Sequence, residues 1–315
     1  SKERLQKFFL TCKGYRKKLD YDKDILPFTT KLFSQFQIVC VMSEASAFRK
    51  FVGDSAAQKK IQWIHTDYVA WSNYNDWTRN ITKDDGEIYK NFDKIIVLTE
   101  GIGDRMATIY PHLASKLEVS RNLMPVEEIK KKSEPISIKN EKPLNFITVG
   151  RLGDEKEYPR LIKILKRLKE EGYRFTWTIV GGGTEFDHIR HLVQSSDLEE
   201  EVHMTGALDN PYRKMVAADV FALLSRYEGL PNTIYESLIL GVPVLATNVG
   251  GIADQIKDGE TGWLAENDED SIAEKIRYLL MNQNKVYKAK EKLTTYFYDN
   301  KEILDTIRDI FTVDK

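Results

Sequence analysis

The feature that most constrains this chain is a rhythm running from Leu144 to Thr247. Short apolar runs alternate with amphipathic segments, and only a few residues join one to the next. "LNFITV" ends in Gly150, "FTWTIV" ends in Gly181, Gly182 and Gly183, and "VHM", "VFALL" and "PVLAT" follow in turn. Between them lie "PRLIKILKRLKE", "TEFDHIRHLVQ", "PYRKMVAA" and "NTIYESLIL", apolar at helical spacing. Thr184 and Asn232 are the expected N-caps of the second and fourth of these helices. Strand–helix–strand order with short joints predicts a parallel sheet covered on both faces. Such a sheet holds its ligand outside the carboxyl ends of its strands.

The first half follows the same plan less cleanly. "FQIVCVM", "KIQWIH" and "KIIVLT" read as strands and "GIGDRMATIY" as a short helix. "KKKSEPISIKNEK", charged and interrupted by Pro135, marks a domain boundary. A length of 315 residues suits two domains. The expected fold class is therefore α/β, with two doubly wound domains, 1–137 and 138–315, facing across a cleft. The terminal run "YKAKEKLTTYFYDNKEILDTIRDIF" predicts a helix pair, and the helices of about 286–315 can cross back to the first domain.

Composition narrows the function classes. No stretch approaches the ~20 uncharged apolar residues of a membrane span. The opening "SKERLQKFFL" carries no apolar signal segment, so secretion is not supported and the cytoplasm is expected. Cys12 and Cys40 lack the spacing of a zinc site and read as reduced thiols. Net charge is −1, yet the chain through Glu134 has 23 Lys/Arg against 18 Asp/Glu. A basic first half suits an anionic membrane surface or substrate, and "FFLTCKGYRKK" and "YVAWSNYNDW" add interfacial aromatics; an unevenly charged solvated surface is the other reading. Nucleic acid is not among the expected partners.

Chemistry is expected in the loops after the strands. In "VGRLGDEKEYP", Arg151 and Lys156 flank a turn just before a helix N-terminus, an arrangement that suits a diphosphate or is an ordinary strand-to-helix turn. "IVGGGTEFDHI" departs from the dinucleotide fingerprint at Phe186, where a small residue is needed. Its glycines either let the backbone approach a ligand or the facing domain, or form a plain tight turn. "EGLPNTIYES" places Glu228 in a loop and Glu236 about one turn inside a helix. Carboxylates accept hydroxyl hydrogen bonds, and free N–H groups at the helix start suit an anion. One short segment can thus serve sugar and phosphate together, or simply hold one solvated acid and one acid favouring the helix dipole.

The run from Asn145 to about Leu280 resembles glycosyltransferase family 4, the retaining sugar-nucleotide-dependent enzymes of the GT-B fold. The matching pieces are "VGRLGDEKEYPRLI", "WTIVGGGTE", "VHMTGALDNPY", "AADVFALLSRYEGLPNTIYESLILGVPVLATNVGGIAD" and "DGETGWL". "KIQWIHTDY", "FDKIIVLTEGIGDRM" and "SRNLMPVEEI" resemble the acceptor-side domain more loosely. The resemblance implies two Rossmann-like domains. It implies that Glu228 lies against the transferred sugar and Glu236 on the ribose, and that Arg151 and Lys156 neutralise the donor diphosphate. Gly182 joins the donor-binding set; Gly229, Leu230, Pro231 and Asn232 form the loop whose backbone meets sugar and phosphate. Ala207 and Leu208 read the base, and His65 is a cleft histidine on the acceptor side; a hydrogen-bonded neutral core histidine is the plainer reading of His65.

Breaking a glycosyl–phosphate bond builds negative charge on the diphosphate, which Arg151, Lys156 and the helix opening near Asn232 can stabilise. No metal and no cofactor are therefore expected. The resemblance implies front-face attack with retention, Glu228 positioning the sugar. It also implies a donor such as uridine diphosphate linked to a hexose or N-acetylhexosamine. A glycan or polyprenyl-linked saccharide of surface-polysaccharide or capsule synthesis is the expected acceptor, met in the cytoplasm at the inner face of the membrane. The family's glycine-pair loop near the start of its first domain has no counterpart before Gly181, so that domain is expected to be abbreviated or to lack an N-terminal piece. The alternatives are a nucleotide-sugar epimerase of the same fold, a non-catalytic sugar-nucleotide-binding subunit, and a metal-dependent transferase using "DYD" at Asp20 to Asp22.

Overall fold

Strands of three to five residues and helices with one apolar stripe cannot bury themselves alone, and here they stack into two layered α/β bodies. The computed structural model describes residues 23, 25–133 and 143–313. The first sheet holds β1 (Ile38–Val41), β2 (Lys59–Trp63), β3 (Lys94–Val97) and β4 (Leu117–Val119), parallel and in that order. The second holds β5 (Asn145–Val149), β6 (Thr176–Val180), β7 (Val202–Gly206), β8 (Val220–Leu223), β9 (Val244–Thr247) and β10 (Gly262–Ala265). Its strands are parallel in the order β10-β9-β8-β5-β6-β7. Relabelled from its own start, this is the doubly wound order 3-2-1-4-5-6. The chain turns from one side of the sheet to the other between β5 and β8, and a crevice opens there.

The predicted helices of the second half form with small shifts. Tyr158–Glu170 buries Leu161, Ile162, Ile164, Leu165 and Leu168 against this sheet. Phe146 and Trp177 stack in the same layer at 4.8 Å. Two capping expectations fail. Asn232 is the first helical residue of Asn232–Ile239, because Pro231 holds extended backbone (φ −64°, ψ 120°) and occupies the cap position. Helix Phe186–Ser195 starts after Glu185 without a side-chain cap, leaving Thr184 outside it.

Among the described residues the first sheet contains four strands. Three were expected; β4 is three residues long, too short to carry a pattern. Of the aromatics in "YVAWSNYNDW", Tyr68 and Trp71 are buried in the core, whereas Trp77 is exposed. The boundary segment after Ser133, Cys12, the "DYD" triplet and "FFLTCKGYRKK" lie outside the described residues. At the other end, helix Asn300–Ile310 packs on the first sheet, with Ile310 against Ile61, Trp63 and Ile96. Asn300 brackets Met124, accepting from its N–H at 3.0 Å and donating to its carbonyl at 2.7 Å. Among the described residues, no helix is long and apolar enough to cross a membrane.

Candidate active site

The crevice between β5 and β8 brings two loops together. The loop after β5 carries Arg151 and Lys156; the loop after β8 carries Ser225 to Pro231. Lys156 Nζ lies 2.5 Å from Glu228 Oε1, and Ser225 Oγ donates to the same oxygen at 2.7 Å. Both charged side chains are mostly buried, 16% and 13% exposed. The backbones are tied as well, since Arg226 N–H donates to the Glu155 carbonyl at 2.8 Å. Arg151 stands further out: its side chain is 74% exposed and paired with Glu155 at 2.8 Å. The structure thus joins Lys156 to Glu228 and leaves Arg151 at the rim.

Glu236 points elsewhere. It accepts from the Tyr212 hydroxyl at 3.3 Å, and burial raises its carboxyl above the ordinary value, the Tyr212 bond opposing. Burial, with Glu236 second, pushes Tyr212 up to about 12. Glu228 and Glu236 therefore occupy different microenvironments, one beside a cation and one beside a phenol.

Glycines set the closest approaches. A Cβ on Gly181 would lie 1.8 Å from the Gly150 carbonyl oxygen, and one on Gly183 would lie 2.4 Å from that of Leu152. The glycine run lets the loop after β6 pack on the loop after β5. Gly182 faces Ala207 across 3.6 Å, measured from its built Cβ, and Ala207 and Leu208 are exposed on the loop after β7.

Gly229 is where the two domains meet. A Cβ there would lie 2.1 Å from the His65 carbonyl oxygen. On its other side Gly251 N–H donates to Gly229 O at 2.9 Å, and Gly250, at φ +58°, sits against the Glu228 carbonyl. His65 at the end of β2 therefore borders Glu228 and Gly229 through backbone, with its ring stacked on Trp63 at 6.2 Å. Burial lowers the His65 pKa, opposed by Glu44, and this favours the neutral ring. Leu230 is buried, and Pro231 and Asn232 open the helix beneath.

Several further residues border the site. Asn122, after β4, donates to Asn232 Oδ1 at 2.8 Å and to the Leu230 carbonyl at 3.3 Å. Arg105 pairs with Asp67 at 3.0 Å and reaches the Gly250 carbonyl at 3.4 Å. Tyr74 donates its hydroxyl to Asp154 and packs on Tyr227 at 4.9 Å, closing the first domain onto the loop after β5. Asn122, Arg105 and Tyr74 lie within "SRNLMPVEEI", "FDKIIVLTEGIGDRM" and "YVAWSNYNDW", whose residues carry no assigned role at the site.

The glycosyl transferases group 1 family model matches residues 129–296, more than half of the chain and the whole of this crevice. The chain belongs to the group 1 glycosyltransferases. This group 1 protein is 29% identical over 221 residues to the Campylobacter jejuni N-acetylgalactosamine-N,N'-diacetylbacillosaminyl-diphospho-undecaprenol 4-alpha-N-acetylgalactosaminyltransferase, covering 69% of the chain and 59% of that protein. It is 31% identical over 140 residues to the amylovoran biosynthesis glycosyltransferase AmsK of Erwinia amylovora, covering 42% of the chain and 34% of AmsK. The chain thus spans between about a third and three fifths of these two curated relatives. Among solved structures, S. aureus TarM in a complex containing UDP superposes with a TM-score of 0.72 at 20% identity, over 91% of this chain and 58% of TarM. Anabaena HepE in complex with UDP gives 0.68 at 15% identity, over 90% and 80%. The group 1 chain accordingly has the GT-B fold, with four strands among the described residues of its first sheet.

Proposed function

We propose that this chain transfers a sugar, with retention of configuration and without a metal, from a uridine diphosphate donor to a hydroxyl of a lipid-linked or polysaccharide acceptor. The observation that carries the reading is the Lys156–Glu228 pair at the mouth of the β5/β8 crevice, above the start of helix Asn232–Ile239. A diphosphate entering there meets a lysine whose present partner is a carboxylate, and Arg151 one step outward. Exchanging Glu228 for phosphate frees the carboxylate to accept sugar hydroxyls, so a single movement arms both ends of the donor. Fixed cations stabilise the departing diphosphate without reorganising. Glu236, with Tyr212, takes the ribose diol; Gly182, Ala207 and Leu208 flank the base.

UDP in the TarM and HepE complexes supports the nucleotide, and the undecaprenol-linked substrate in the Campylobacter relative's name supports a lipid-linked acceptor. His65 and the exposed Trp77 lie on the acceptor side, and Trp77 with the exposed Phe28 and Phe48 supports contact with a membrane surface.

The test is a panel of nucleotide-sugars with and without undecaprenyl-diphosphate-linked saccharides, followed by product anomer analysis in EDTA. Acceptor-dependent release of UDP with a retained anomer supports the reading. An inverted product, a strict manganese requirement, or epimerised donor without acceptor refutes it.

A further inference from the structure

The interface between the domains holds a second cavity, of about 640 Å³, that shares no residue with the loops around Glu228. Three parts of the chain wall it. The first domain contributes Glu100 and Val119 to Arg121; the second contributes Tyr235 and Ala253 to Lys257; the crossing segment contributes Tyr296 to Asp299 and the start of the last helix. Helix Asn232–Ile239 thus presents Glu236 to Tyr212 and the neighbouring Tyr235 to this cavity.

The lining has a definite chemistry. Four carboxylates (Glu100, Asp254, Asp299, Glu302) outnumber two cations (Arg121, Lys257), which disfavours a phosphate-bearing ligand. Tyr235 and Tyr298 meet edge to face at 4.6 Å, and Phe297 stands 78% exposed beside them. The Tyr235 hydroxyl and Gln255 Oε1, on residues only 4% and 7% exposed, have no hydrogen-bond partner. Gln255 lies beside the Tyr235 hydroxyl, and its amide nitrogen donates to the Pro231 carbonyl at 3.1 Å. Buried polar ends of this kind are ordinarily satisfied.

We propose that this cavity is a binding site for a neutral saccharide of one or two rings. Carboxylates and the Gln255 carbonyl accept hydroxyl hydrogen bonds, and an aromatic face covers the C–H side of a pyranose. The volume falls in the range of small-ligand sites, which favour domain interfaces. Because the walls come from both domains and from the crossing segment, an occupant stabilises one interdomain angle.

Saturation-transfer difference NMR on the intact protein, with glucose, N-acetylglucosamine and maltose at millimolar concentration and UDP in excess, tests this. Signal from at least one sugar is expected, weakened tenfold or more by Phe297→Ser and by Glu302→Ala, both exposed positions whose substitution leaves the melting temperature in place. Glu228→Gln is expected to leave the signal intact. No signal from any of the sugars, signal indifferent to both cavity variants, or signal lost with Glu228→Gln overturns the proposal.

Discussion

Replacing Lys156 by Met separates two jobs that the lysine can hold. The 2.5 Å contact with Glu228 is mostly buried, and stranding one partner of a buried pair costs about 3–5 kcal/mol. Each side chain retains some access to water and Ser225 still donates to Glu228, so a cost below that range, about 2–3 kcal/mol, is expected. That corresponds to a melting temperature lower by roughly 5 °C or more. Adding Glu228→Gln removes the stranded charge, and most of the lost stability should return. Nucleotide affinity should not return with it. A charged hydrogen bond to phosphate is worth about 1.5–3 kcal/mol, so both Lys156→Met and the double variant should bind UDP roughly tenfold to a hundredfold more weakly by calorimetric titration. A double variant that binds UDP like the wild type would show that Lys156 only neutralises Glu228, and the diphosphate reading of the crevice would fall.

Other perturbations probe the rest of the site. Gly229→Ala forces a Cβ to within 2.1 Å of the His65 carbonyl, with backbone on both sides; about 1–3 kcal/mol of destabilisation and a larger radius of gyration by solution scattering are expected. For Glu236, burial raises the folded-state pKa above 4.5. The unpaired charge therefore costs stability as pH rises through the folded value, and the cost is absent below pH 4.5. Glu236→Gln should accordingly melt higher than wild type at pH 7.5 and equal to it near pH 4, while binding UDP about tenfold more weakly. Tyr74→Phe keeps the ring on Tyr227 but loses the hydroxyl to Asp154; UDP affinity should fall a few-fold, and Tyr74→Ala should lose more in the same titration.

The second domain was readable because its central strands β8 and β9 are buried throughout and most of its strands are followed by a helix with one apolar stripe, as in Tyr158–Glu170. The first domain was less so. β1 is only partly covered, and the three-residue β4 follows a 3₁₀ turn rather than a patterned run. Within the crevice, Lys156 and Glu228 could be singled out because each sits in a loop at a strand's carboxyl end. The cap fails at Asn232 because Pro231 takes the cap position, and the Asn232 side chain instead accepts from Asn122, 110 residues away. Tyr74 and Arg105 escaped because their partners lie on other elements, and no spacing within the chain announces such meetings.

The return of the last helix to the first sheet limits how the molecule can flex. With Ile310 seated on Ile61 and Trp63, and Asn300 clipped to the Met124 backbone, the polypeptide ties its two lobes by a second strap besides their direct connection. A body held at two crossings can swing about the line joining them but resists twisting or sliding across it. Jaws so mounted would shut along a single track, delivering His65 to Gly229 in the same register on every cycle.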